Sequence, residues 1–176
     1  MSEAFQIIVD KEATLEEAEF LAQAIHAWLV EYEIVEETPV EDIHSIGEYA
    51  AGRNYLQITT GQDVSESDNC GFDLTTTRTV FHAGGNGGDP ICPGCQMTAT
   101  NHEQWISAVD DWQMGGAGSL RCEHCGYTAS ITDWVFDWGF GNLGFTFWNW
   151  PPLSDEFIAE FHARLGHEIV VVKGRL

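Results

Sequence analysis

Positive charge is scarce in this sequence: 7 Lys and Arg stand against 28 Asp and Glu, for a formal net charge of −21, and only Lys11 and Lys173 are lysines. A field of that sign repels phosphate backbones and anionic lipid, so nucleic acid is not an expected ligand, whereas encounter with a basic protein is accelerated. Long apolar runs are missing as well. Nothing approaches the ~18–20 residues that a bilayer span requires. Met1–Asp10 has neither the basic start nor the small-residue cleavage site of an export signal, and the expected compartment is the cytoplasm. Signatures of nucleotide and hydrolase chemistry are absent too. The glycine clusters Gly84–Gly88 and Gly115–Gly118 do not match GxxxxGK[ST], and neither GxSxG nor HExxH occurs.

What is present suffices for folding. In 176 residues, 44% hydrophobic and 12% aromatic, there is material for one ordinary domain, or one domain carrying a small inserted module. The charge is uneven: residues 1–70 hold 16 acids and 2 bases, the remainder 12 acids and 5 bases. The N-terminal part dominates the field.

Local patterns give the elements. Phe5–Val9 is a β-rich run, and Thr14-Leu-Glu-Glu17 is a capping box that predicts a helix over 14–33, with Leu15, Ala18, Ala22, Ile25, Leu29 and Tyr32 on its inner face. Residues 36–53 read as an acidic loop with one helical turn around Val40–Tyr49. Tyr55–Thr59, Arg78–His82 and Phe145–Asn149 read as strands. Pro151-Pro152 stops the last of these, Ser154 caps a helix to about Leu165 with Gly166 at its C-terminal stop, and His167–Lys173 closes as a strand expected to be buried on both faces. The resulting βαβ–βαβ order predicts an α+β, ferredoxin-like (split βαβ) sandwich. Its body would be residues 1–83 and 132–176, with a zinc-ribbon insert at 84–131 and the strand at 78–82 as an edge strand or stalk.

Four of the five cysteines carry the strongest signal. Cys92-Pro-Gly-Cys95 and Cys122-Glu-His-Cys125-Gly126 are two CxxC pairs with 26 residues between them. A tight CxxC turn sets two sulfurs on one side of the backbone and aims amide N–H groups at them, and Gly94 and Gly126 supply turn chemistry. Two such turns complete a tetrahedron around one Zn2+ with metal–sulfur bonds of ~2.3 Å. A shell of four thiolates leaves no open position for water or substrate, so the ion is structural, and its binding makes the site more negative. A redox dithiol pair and an iron–sulfur site are the competing chemistries, with no thioredoxin-like context to favour the first. His82, His102 and His124 lie near the pairs in sequence, but four cysteines make a histidine ligand unnecessary. Over about residues 90–128 the spacing resembles zinc-ribbon proteins as a class.

The remaining candidates are weaker. Trp105 and Trp112 can stack on bases or cover the ribbon's small core. Cys70 is a nucleophile only if a histidine such as His44 or His82 folds against it, and is otherwise a free, partly buried thiol. Asp110-Asp111 and Glu36-Glu37 read as solvated acids. Gly139-Phe-Gly-Asn-Leu-Gly-Phe-Thr-Phe-Trp-Asn-Trp-Pro-Pro152 resembles the tail of a group of short bacterial proteins that carry CxxC pairs ahead of it. Some of that group bear transporter-ATPase labels, to which this chain brings no phosphate loop, and the resemblance implies no activity. Three functions follow in order. The first is a non-enzymatic protein-binding module, one version being an immunity-type inhibitor that covers a basic toxin. The second is an enzyme with a cleft site near Cys70, Asp73, His82 or Asp89. The third is a regulator that grips nucleic acid through the ribbon. Trp148 and Trp150, if exposed together, would mark a binding patch.

Overall fold

The computed structural model describes residues 3–42, 44–60, 69–84 and 87–176. Along these the elements run β1 (Ala4–Asp10), α1 (Leu15–Glu31), β2 (Val35–Pro39), β3 (Tyr49–Ala51), β4 (Gly71–Thr75), β5 (Thr79–Phe81), α2 (His102–Gln113), β6 (Ser119–Arg121), β7 (Thr128–Ser130), β8 (Gly139–Gly141), β9 (Leu143–Trp148), α3 (Asp155–Leu165) and β10 (Ile169–Arg175). Six strands form one sheet in the order β10-β1-β9-β4-β3-β2, every neighbouring pair antiparallel. β5 pairs with β8 and β6 with β7 in two small ribbons. The architecture is α+β.

Strand period explains how β1 serves two cores. Ile8 belongs to the cluster that α1 and α3 close over the sheet, with Phe72, Phe145 and Phe147 from the strands and Leu29, Phe157 and Phe161 from the helices. Phe5, Ile7 and Val9 belong instead to a cluster with Phe81, Ala83 and Val172 on the other face. A strand covered on both faces reads as a nearly unbroken apolar run, as Phe5–Val9 does. The exception, Gln6, is buried and fully employed. Its amide nitrogen donates to Trp150 O (3.3 Å) and Pro151 O (3.0 Å), and its oxygen accepts from Leu153 N (3.0 Å), which fixes the path into α3.

The capping box of α1 is formed: Thr14 Oγ1 accepts from Glu17 N at 3.2 Å and Glu17 Oε2 accepts from Thr14 N at 3.1 Å. The Thr14 hydroxyl, which donates to Glu17 Oε2 at 2.8 Å, and then the Thr14 backbone N–H hold the Glu17 carboxyl below the usual carboxylate range. The inner face is Ala18, Ala22, Ile25, Trp28 and Leu29; Leu15 and Tyr32, expected inside, are 56% and 55% exposed at the helix ends. α3 keeps the expected bounds, with Ser154 as N-cap and Gly166 at φ 71°.

Three expectations are corrected. Tyr55–Ile58 is a turn of 3-10 helix, not a strand, because Tyr55 and Ile58, three apart, both pack on the main core while Leu56 and Gln57 face out. The place beside β9 goes to β4 instead. Residues 36–53 contain β2 and β3 rather than a loop with a helical turn: Val35 is buried while Glu36, Glu37, Thr38 and Pro39 are exposed, so this edge strand shows no apolar alternation. β10 is half-buried, with only Val172 below the surface, because it ends the sheet and its outer face is incompletely covered.

The two helical crossovers meet at Asp10. This fully buried carboxylate accepts from Glu12 N (2.9 Å) and Ala13 N (2.8 Å) through Oδ1, and from His167 Nδ1 (2.8 Å) through Oδ2. The bond to Asp10 raises the His167 pKa above 6.5, with burial opposing it. A histidine whose folded pKa is raised contributes stability that is fully present below the unfolded value and lost as pH climbs through the folded one. His167→Ala should therefore destabilise the chain by about 1 kcal/mol, below the ~1.5–3 kcal/mol of a buried bond to a charged group because the ring is partly open to water. In urea titrations the gap between wild type and variant is widest below about pH 6.5 and narrows as pH rises. A gap that widens with pH would refute this.

Candidate metal centre

The four cysteines lie on two turns that repeat one hydrogen-bonding scheme. In the first, Cys92 N donates to Met97 O (2.9 Å) and Gln96 N to Cys92 O (2.9 Å); in the second, Cys122 N donates to Tyr127 O (2.7 Å) and Gly126 N to Cys122 O (2.9 Å). Both turns close through a left-handed residue at the same position, Gln96 at φ 61° and Gly126 at φ 76°. The expected role of Gly94 is thus partly corrected. It is not left-handed, and its smallness is needed because a Cβ there would come within 3.1–3.2 Å of the Tyr127 side chain. Gln96 takes up the strained conformation instead, and its amide reaches Pro93 O at 3.2 Å.

The turns face each other. All four Sγ atoms lie within 4.8 Å of one another, with Cys92–Cys125 at 3.8 Å and Cys95–Cys122 at 3.6 Å. These separations are far beyond the ~2.05 Å of a disulfide. A tetrahedron with ~2.3 Å metal–sulfur arms has edges of ~3.8 Å, so the donor set fits one soft divalent ion. Gly94 N points at Cys92 Sγ from 3.3 Å, the amide support that a thiolate needs. Without a cation the four thiols contend for protons. At Cys95, a backbone bond near Met97 lowers the pKa, but burial and the three neighbouring sulfurs outweigh it and carry the thiol up to about 12. At Cys122, burial raises the value, yet the backbone amides of Cys125 and His124 and the adjoining thiols bring it down to about 6. A bound dication removes that conflict by taking all four as thiolates. Cys92 and Cys122 are buried, Cys95 half-buried and Cys125 exposed, so the cluster sits at the tip of its module.

A small core stands behind the tip. Trp105, Ala108, Val109 and Trp112 of α2 pack with Leu120, Ile131, Trp134 and Phe140. Both Trp105 and Trp112 are buried, so neither is available for stacking on bases. This core also draws on Val80, Phe136 and Trp138, beyond the cysteine segment itself. Arg78 lies 4.0 Å over the Trp112 ring and donates to Trp112 O (2.7 Å) and Gly116 O (3.3 Å), which ties the β4–β5 connection to the end of α2. Glu123 braces the two turns by accepting from Thr100 N (2.7 Å). α2, Gln96 and Glu123 are what the spacing of cysteines did not disclose. Asn101 as N-cap, with apolar residues at 105, 108, 109 and 112, is the signal that could have found the helix.

Other candidates are dispersed. Cys70 Sγ is 3.3 Å from Asn149 O at the edge of the main core. Asp73 accepts from Glu48 N (2.6 Å) and Trp148 Nε1 (2.7 Å), and the His82 ring stands 6.1 Å from that of Trp138. A cleft of about 580 Å3 between body and module is lined by Lys11, Arg78, Trp112, Trp138 and Asn142 among others, and by none of Cys70, Asp73, His82 or Asp89. His102 meets the Trp105 ring edge-on at 4.7 Å and His124 neighbours Glu123; among the described residues the only such group of metal-ligating side chains is the four cysteines. Trp150 is buried, with its Nε1 donating to Gly71 O, and Trp148 is half-buried, so they form no exposed pair. Among the described residues no helix is long and apolar enough to cross a membrane. The chain matches no family model, no curated protein and no solved structure.

Proposed function

We propose that the chain is a non-enzymatic protein-binding module of the cytoplasm, in which Cys92, Cys95, Cys122 and Cys125 hold one structural zinc ion and the acidic body docks a basic protein. The observation that carries the reading is the pairing of a closed four-sulfur cluster with a net charge of −21. When bound, the ion cross-links the two turns and offers no vacant position for chemistry. The body is read as a ferredoxin-like variant in which β4, not residues 55–59, stands as the second of the core strands in chain order, and the chain as a relative of the bacterial proteins that its tail resembles. An immunity-type inhibitor is the most concrete version. Carboxylates covering the cationic surface of a nucleic-acid-binding toxin would speed association and set register.

The test is capture of partners from a bacterial lysate on immobilised, metal-loaded protein. A basic protein should be retained at low ionic strength and released by salt, because exposed charges more than ~10 Å apart are screened at 0.1 M. Retention that is indifferent to salt, or no retention, would remove the electrostatic docking idea.

A further inference from the structure

Among the described residues the β2 side of the sheet is unpaired, and acids concentrate there. β2 ends the strand order, and among the described residues only β3 pairs with it. A groove of about 300 Å3 runs beside it, with Val30 and Val35 among its lining and Glu33, Glu36, Glu37 and Arg53 around them. Arg53 is paired with Glu33, so its charge is already answered. Beyond the groove, Glu41, Asp42 and Glu48 add further exposed carboxylates.

An unpaired strand edge is a template for another strand, and proteins usually blunt it with charge, proline or a bulge. Here the register shifts between Val35 and Pro39, and Pro39 ends the strand, so the template is short. Its charges are all of one sign. A second copy of this chain, itself at −21, is repelled from such an edge, whereas a strand with Lys or Arg at alternate positions is attracted. Main-chain pairing gives affinity in such additions, and side-chain pockets give selectivity.

We infer that the β2 edge is the docking site for an extended, basic segment of a partner protein, which joins the sheet beside β2 with an apolar residue over Val30 and Val35 and its cations toward Glu36, Glu37, Glu41 and Glu48. This rests on the reading of a basic partner and assigns it a surface.

The experiment titrates the metal-loaded full chain with an acetylated peptide of about eight residues alternating Lys and Val, a typical strand length. A second peptide has the same charge but alternate backbone nitrogens methylated, which deletes one edge of donors. The first should bind, shift and protect the amides of Val35–Thr38, and bind about tenfold or more tightly than the second, the equivalent of one or two lost hydrogen bonds. Glu36→Lys with Glu37→Lys should weaken it at least as much. Glu103→Lys with Asp110→Lys, an equal change of charge on α2, should leave it within about threefold, the scale of screened exposed charges. Equal affinity for both peptides, or amide shifts elsewhere, overturns the edge site. If the edge fails in this way while a salt-released basic protein is still captured, the general reading stands; if neither peptide nor protein is held, that reading falls with it.

Discussion

Cys92→Ser combined with Cys122→Ser should reduce bound zinc from one equivalent per chain to almost none, whereas Cys70→Ser should keep the full equivalent. The pair removes one buried sulfur from each turn and leaves two thiolates, too few to close a site. A serine hydroxyl stays protonated near neutral pH and does not replace a thiolate, least of all at Cys122, whose own thiol is already down to about 6. Cys70 lies outside the cluster, and a serine there keeps a donor for Asn149 O. The energetic consequence is large. Structural zinc contributes ~10–16 kcal/mol in zinc-finger peptides, as much as the ~5–15 kcal/mol of net stability of a whole domain. The core behind the turns is one short helix against two small ribbons, so loss of the ion should melt it. Near-ultraviolet dichroism from Trp105, Trp112 and Trp134 should collapse and proteolysis should open the chain between β5 and β8. Amides of β1 and β9 should stay protected, since Ile8, Phe145 and Phe147 pack under α1 and α3. Full metal retention in the double variant, or metal loss in Cys70→Ser, would sink the four-sulfur site.

The parts of this molecule that could be read in advance are those whose chemistry is local. A CxxC turn, a Thr-x-x-Glu cap and a Ser154 cap each state their geometry within four residues, and each occurs where expected. What could not be read depends on neighbours distant in sequence. Glu36 and Glu37 sit in a strand because β3 pairs with it, not because their own residues favour one. Tyr55–Thr59 alternates like a strand, but the core takes Tyr55 and Ile58 together, and a turn delivers that spacing. Gln96 adopts a left-handed conformation normally left to glycine because the first turn must match the second, and no propensity announces that. α2 is different in kind. Its period was present in the residues, and the expectation of a plain ribbon between the cysteine pairs concealed it.

Phe161→Ala should be the most damaging single change in the body, costing ~3–5 kcal/mol. The ring is fully buried and meets three others: Phe145 edge-on at 4.8 Å, Phe157 at 5.6 Å and Trp28 at 5.7 Å. Those partners come from β9, α3 and α1, and the sheet and capped helices hold them apart, so the cavity left by alanine cannot close by small shifts. Loss of the edge-to-face contacts adds to the loss of buried area. For a chain of this size the melting temperature should fall on the order of 10 °C. Phe20→Ala, on the same α1 layer but 73% exposed, should change stability by no more than ~0.5 kcal/mol. Zinc content separates this effect from the first prediction. Phe161 belongs to the cluster under the helices and none of its ring contacts reaches the cysteine module, so the variant should be less stable and still hold one equivalent of metal. A loss under ~1 kcal/mol would mean that the helices adjust to the missing ring, and the rigid three-element packing described for this core would be wrong.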